Sequence, residues 1–70
     1  MTEQRRDIAA RLKERRELEG KTPAELAEAL GVPAAEYQAY EAGEADIPAS
    51  ALHDAARALN ADLTELLTGE

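Results

Sequence analysis

The sequence predicts an all-α domain of five short helices packed around one core. Three observations predict it. Apolar residues recur at spacings of three and four with no strand-like alternation; Gly20, Gly31, Gly43 and Asn60 stand where helices would stop; and Thr22-Pro23, Pro33 and Pro48 stand where new ones would start.

The first helix is expected over 4–19, which holds no Gly or Pro and places Ile8, Leu12 and Leu18 near one face, with Arg15 interrupting that stripe. Gly20 then acts as a left-handed stop. Thr22-Pro23-Ala24-Glu25 opens the second helix: Thr22 caps, Pro23 suits the first helical position and Glu25 reaches back to complete a capping box. This helix carries Leu26, Ala27 and Leu30 and ends at Gly31. A third helix over 34–42 follows Val32-Pro33 and brings Tyr37 and Tyr40 to one inward face, with Gly43 stopping it and 44–47 forming a loop. Pro48 opens the fourth, with Leu52, Ala55, Ala56 and Leu59 at helical spacing and Asn60 as terminator. Asp62 and Glu65 read as a second capping box before a fifth helix with Leu63, Leu66 and Leu67, ending near Gly69.

Seventy residues allow one small core, so a single domain over 1–70 is expected. There is no cysteine, and His53 is the sole histidine, so no disulfide, metal or cofactor is expected to supplement helix packing. No Ser, His and Asp set stands at suggestive positions and no glycine loop could cradle phosphate, which argues against an enzyme. No apolar run approaches the roughly 18 residues of a membrane span, nor is a leader-like segment present, so the chain reads as cytoplasmic.

The net charge of −7 argues against a polyanionic partner until its distribution is considered. Residues 1–21 hold seven basic side chains against five acidic ones, and residues 22–70 hold Arg57 against ten acids. Any contact with phosphate must therefore involve the first helix.

The segment 23–43 constrains its residues sterically. Ala27 must be small where the following helix crosses, Gly31 supplies the turn's backbone angle, and Leu26, Leu30, Val32, Tyr37 and Tyr40 provide apolar contacts. The run Thr22 to Val32, TPAELAEALGV, followed by Tyr37 to Gly43, YQAYEAG, resembles the XRE (Cro/CI-type, lambda repressor-like) helix-turn-helix regulators. The likeness extends from Ile8 in an I-x-x-R-L-K-x-x-R first helix to the closing Leu63-Thr64-Glu65-Leu66-Leu67.

That resemblance implies a five-helix lambda repressor-like fold with the helix-turn-helix at about 23–42. It also implies sequence-specific binding of double-stranded DNA, with the third helix in the major groove and dimers reading paired half-sites. Carried onto this chain, the base-facing positions are Ala34, Ala35, Glu36, Gln38 and Ala39. Gln38 has the chemistry for a bidentate pair with adenine, and Glu36 for accepting from cytosine. Phosphate contacts fall to Arg11, Lys13, Arg16, the Thr22 hydroxyl and the free amides that start the second helix.

Plainer readings stand beside these. Glu36 and Gln38 would also suit a solvated helix face, the first-helix basics interleaved with Glu14 and Glu17 would also suit weak surface pairs, and Tyr37 and Tyr40 fit a core better than base stacking. The chain departs from the family pattern in Pro23, Ala34, Ala35, Ala39, Glu44 and Ala45, and Glu36, Glu41, Glu44 and Asp46 crowd the surface that would face DNA. A protein-interaction module that kept the fold without the DNA surface is therefore the alternative function. The segments 46–50 and 63–70 also resemble heads that continue into a C-terminal sensor domain such as a cupin barrel.

Overall fold

A computed structural model describes residues 2–68, with side chains described from Arg6 onward. Helices α1 (Thr2–Leu18), α2 (Pro23–Leu30), α3 (Ala34–Ala42), α4 (Ala49–Ala58) and α5 (Leu63–Thr68) follow in order, and no strand occurs among the described residues. The all-α, five-helix architecture matches the expectation.

The helix ends follow from local chemistry. Gly20, Gly31, Gly43 and Asn60 all take left-handed backbone angles, with φ of 70°, 72°, 73° and 57°. Each lets the next amide turn back onto the helix: Lys21 donates to the Arg16 carbonyl at 3.1 Å, Val32 to Ala27 at 3.0 Å, Glu44 to Ala39 at 3.0 Å and Ala61 to Ala56 at 2.8 Å. This pairing satisfies carbonyls that a helix otherwise leaves open at its end.

At the start of α2 the capping box forms as the sequence predicts. Thr22 Oγ1 accepts from the Glu25 amide at 3.1 Å, and the Thr22 amide donates to Glu25 Oε1 at 2.7 Å. Pro33 and Pro48 precede α3 and α4 with no side-chain cap bond. The box expected at the start of α5 gives way to a tertiary contact, because Glu65 Oε2 accepts from Arg15 Nη1 at 3.2 Å. The expected stop at Gly69 lies outside the described residues.

The core gathers Leu12, Leu26, Ala27, Tyr37, Tyr40, Ala55 and Leu59, with Leu30 and Val32 partly buried against it. A second cluster of Leu52, Ala56 and Leu66 packs with Ile8 and Leu63 and seats α5. The stripe expected on α1 needs one correction: Leu18 is 73% exposed, whereas Ala9, Leu12 and Arg16 are buried. Six residues separate Leu12 from Leu18, which at about 100° per residue carries Leu18 roughly 240° round the helix. The core-facing positions of that last turn are instead taken by arginines.

Arg15 and Arg11 have tertiary work. Arg15 donates to the Leu59 carbonyl at 3.4 Å and the Asn60 carbonyl at 3.0 Å, closing the end of α4 with a cation where the helix dipole favours one. Arg11 Nη2 donates to the Leu67 carbonyl at 3.0 Å. Both side chains thus hold the α4–α5 end of the chain onto α1.

Candidate nucleic-acid interface

The α2–turn–α3 unit is built around Ala27 and Gly31. Ala27 is buried, and its carbonyl takes the Val32 amide that closes the turn. Only residues 31–33 separate the two helices, and α3 starts as soon as Pro33 has set the chain extended at φ −62° and ψ 150°. Leu26 and Ala27 on α2 and Tyr37 and Tyr40 on α3 bury against each other, so the opposite side of α3 is left outward.

That outward side has a definite membership. Ala35, Gln38 and Ala42 are exposed and Ala39 is half-buried, and their spacing of three, four and seven from Ala35 is that of one helical face. Ala34 and Glu36 are exposed at its two margins. All five expected base-facing residues therefore reach the surface, and Ala42 joins them. Extending the pattern from Ala35 by two turns would have found it in the sequence.

Glu36 is not a free acceptor, because its Oε2 takes the Tyr40 hydroxyl hydrogen bond at 2.7 Å, one helical turn away. This bond pushes the Tyr40 hydroxyl above its ordinary titration range. Gln38, by contrast, is exposed on the outward face.

A second network lies behind α3. Arg16 Nε donates to Glu41 Oε2 at 2.6 Å, Nη2 to Glu41 Oε1 at 3.2 Å, and Nη1 to the Lys21 carbonyl at 2.8 Å, while the Tyr37 hydroxyl donates to Glu41 Oε2. Two parallel bonds of this kind suit the planar guanidinium. Burial, reinforced by the bond to Glu41, raises the Tyr37 hydroxyl far above its ordinary range. The Glu41 bond likewise raises Arg16.

The residues expected to meet phosphate thus part company. Arg16, which the family resemblance assigned to phosphate, is 8% exposed with its guanidinium spent on Glu41 and the Lys21 carbonyl. Arg11 is turned toward α5, with its Nε buried. Lys13 and Thr22 remain exposed. The start of α2 offers fewer amides than expected, since Pro23 has none and the Thr22 and Glu25 amides are taken by the capping box, leaving that of Ala24. The same box holds the Glu25 carboxyl below its ordinary range, through its bond from the Thr22 backbone.

Arg6 is an addition to the set. It is exposed, lies seven residues from Lys13 and hence on the same face of α1, and its Cγ is 3.4 Å from the point where a Cβ on Gly43 would sit. The i, i+7 relation to Lys13 was visible in the sequence, but its place beside the end of α3 depends on the fold. Among the described residues no cluster of His, Cys, Asp and Glu could hold a metal ion, and no helix is long and apolar enough to cross a membrane.

Two short helices locked by a glycine turn, with the second presenting a solvent-exposed face, define a helix-turn-helix, a class whose role points to DNA binding in regulation. The chain belongs to the helix-turn-helix domain family, whose model matches residues 7–68, from within α1 to the end of α5. Searches of curated proteins and of solved structures each return no significant match.

Proposed function

We propose that the chain is a sequence-specific, double-stranded-DNA-binding head of an XRE-type transcriptional regulator, inserting α3 into the major groove. The observation that carries this reading is the outward face of α3, formed by Ala35, Gln38, Ala39 and Ala42 and bordered by Ala34 and Glu36. Its small side chains permit close approach of the helix to base edges, and it stands clear of the core. Lys13, Arg6 and the Thr22 hydroxyl are the groups best placed to meet phosphate. Pairing of two heads on adjacent half-sites, a cytoplasmic setting and continuation into a sensor domain belong to the same proposal.

Arg11, Arg15 and Arg16 are committed to tertiary contacts, which leaves Arg6 and Lys13 as the cations nearest the candidate surface, so binding leans weakly on charge. With two or three phosphates neutralised per head, log affinity should fall with log salt at a slope of about −2 to −3. A titration of a fluorescent random-sequence duplex across a salt series tests this, and the same reading predicts enrichment of one motif when a randomised pool is selected.

One observation favours a second reading. Arg11, Arg15 and Arg16 are all drawn into internal contacts, while Glu36 and Glu44 are exposed at the margins of the candidate surface. A protein-interaction module on the same fold would show no duplex affinity even at low salt.

A further inference from the structure

Granted the DNA-binding reading, the outward face of α3 also specifies what kind of base pair it would accept. Gln38 is the one side chain on that face with hydrogen-bonding groups, and its amide carries a donor and an acceptor together. Adenine shows the complementary pair in the major groove, N7 accepting and N6 donating. Guanine shows two acceptors there and would leave the Gln38 carbonyl oxygen facing another acceptor.

Glu36 is the residue that could favour cytosine, by accepting from its N4 amine. Its carboxylate already accepts from the Tyr40 hydroxyl at 2.7 Å and sits at the margin of the face. A side chain pinned back along its own helix is poorly placed to extend toward a base.

The other members of the face, Ala35, Ala39 and Ala42, offer a methyl group each and no polar atom. The major groove displays one apolar group that could match them, the C5-methyl of thymine. Methyl against methyl removes apolar area from water, whereas cytosine's amine set against an alanine methyl would lose its water without a replacement.

We infer that Gln38 is the sole polar specificity determinant of this head, and that its half-site is a run of A·T pairs, with adenine read by Gln38 and thymine methyls seated on Ala35, Ala39 and Ala42. Glu36 takes no part in base choice. This inference rests on the DNA-binding reading and goes further by naming the bases.

The test takes the duplex enriched by selection and remakes it twice: with deoxyuridine for every thymine, which removes only the methyls, and with 7-deazaadenine for every adenine, which removes the N7 acceptor. Each methyl lost should weaken binding by about threefold to fourfold, the value of one buried methyl-sized group. The deaza duplex should bind about tenfold weaker, the size of one good bidentate pair. Gln38→Ala should abolish the difference between adenine and 7-deazaadenine, and Glu36→Gln should leave the selected motif unchanged. A selected motif dominated by G·C pairs, or uracil and thymine duplexes bound equally, overturns the inference while leaving DNA binding intact. No binding to any duplex at low salt overturns both.

Discussion

The guanidinium of Arg16 and the carboxylate of Glu41 face each other across the α1–α3 interface through two hydrogen bonds of 2.6 and 3.2 Å, with both side chains almost entirely buried. Pairing a charge with a charge in the interior fixes how α3 lies on α1, and so fixes which side of α3 is outward. Coulomb attraction at such a site is offset largely by the loss of hydration, so the pair specifies geometry more than it adds net stability.

Breaking the pair from one side should therefore be severe. Arg16→Ala leaves Glu41 buried beside Tyr37 and is expected to cost about 3–5 kcal/mol. Replacing both partners, Arg16→Met with Glu41→Leu, should recover part of that loss, the remainder being the cost of leaving the buried Tyr37 hydroxyl without its acceptor. Urea unfolding of the wild type and the two variants measures it, and a double variant no more stable than Arg16→Ala would contradict the account.

Alkaline pH should unfold the chain through its tyrosines. Tyr37 and Tyr40 both have hydroxyls raised above the ordinary tyrosine value near 10, so the folded state favours their neutral forms. That contribution is complete below the ordinary value and declines as pH climbs above it, because the unfolded chain ionises first. Ultraviolet titration should show tyrosinate appearing only together with loss of helical circular dichroism. Full ionisation of both tyrosines in a chain that stays helical would contradict the hydrogen bonds assigned here.

At the acidic end the start of α2 should respond. Glu25 lies below its ordinary range because the Thr22 backbone binds its carboxylate, so its contribution is present above the usual glutamate value and fades as pH falls through the lowered one. Thr22→Ala removes the reciprocal bond and should cost about 1 kcal/mol at neutral pH. Because Thr22→Ala keeps the backbone amide that binds the Glu25 carboxylate, carbon-detected NMR titration should find the Glu25 midpoint below the ordinary glutamate value in wild type and variant alike, and an ordinary midpoint in the wild type would count against the capping box.

Ala27 and Gly31 should fail for different reasons. No atom lies within 4 Å of a Cβ built on Gly31, so Gly31→Ala costs only the left-handed backbone strain, about 1–2 kcal/mol. Ala27 is buried against α3, so Ala27→Leu must force the helices apart at about 1–3 kcal/mol and also shift α3. Chemical-shift changes confined to the turn for Gly31→Ala, against changes along 34–42 for Ala27→Leu, would separate the two causes.

Much of the fold was legible because its punctuation is local. Gly20, Gly31, Gly43 and Asn60 announce left-handed stops, and Thr22-Pro23 with Glu25 announces a start, whatever lies elsewhere in the chain. The tyrosines were legible as core for a similar reason, being three apart on a short helix. What misled was the assumption that polar residues lie outside and apolar ones inside. Arg16 is buried because Glu41, distant in sequence, supplies the opposite charge, and Leu18 is exposed because α1 ends without a neighbour over that face. In place of the second capping box, Glu65 pairs with Arg15 of another helix, a partner that local sequence does not announce. In the candidate site the outward positions of α3 came from the resemblance to the regulator family, whereas the diversion of Arg11 and Arg16 and the restraint of Glu36 by Tyr40 depend on partners that spacing alone did not reveal.

The most direct test of the account is to map backbone amide shifts while a selected duplex is added to the labelled chain. The outward-face reading predicts that the largest changes fall on Ala34, Ala35, Gln38, Ala39 and Ala42, with smaller ones at Thr22, Ala24 and Lys13. Changes centred on α5 and the outer side of α1, with α3 unmoved, would contradict it.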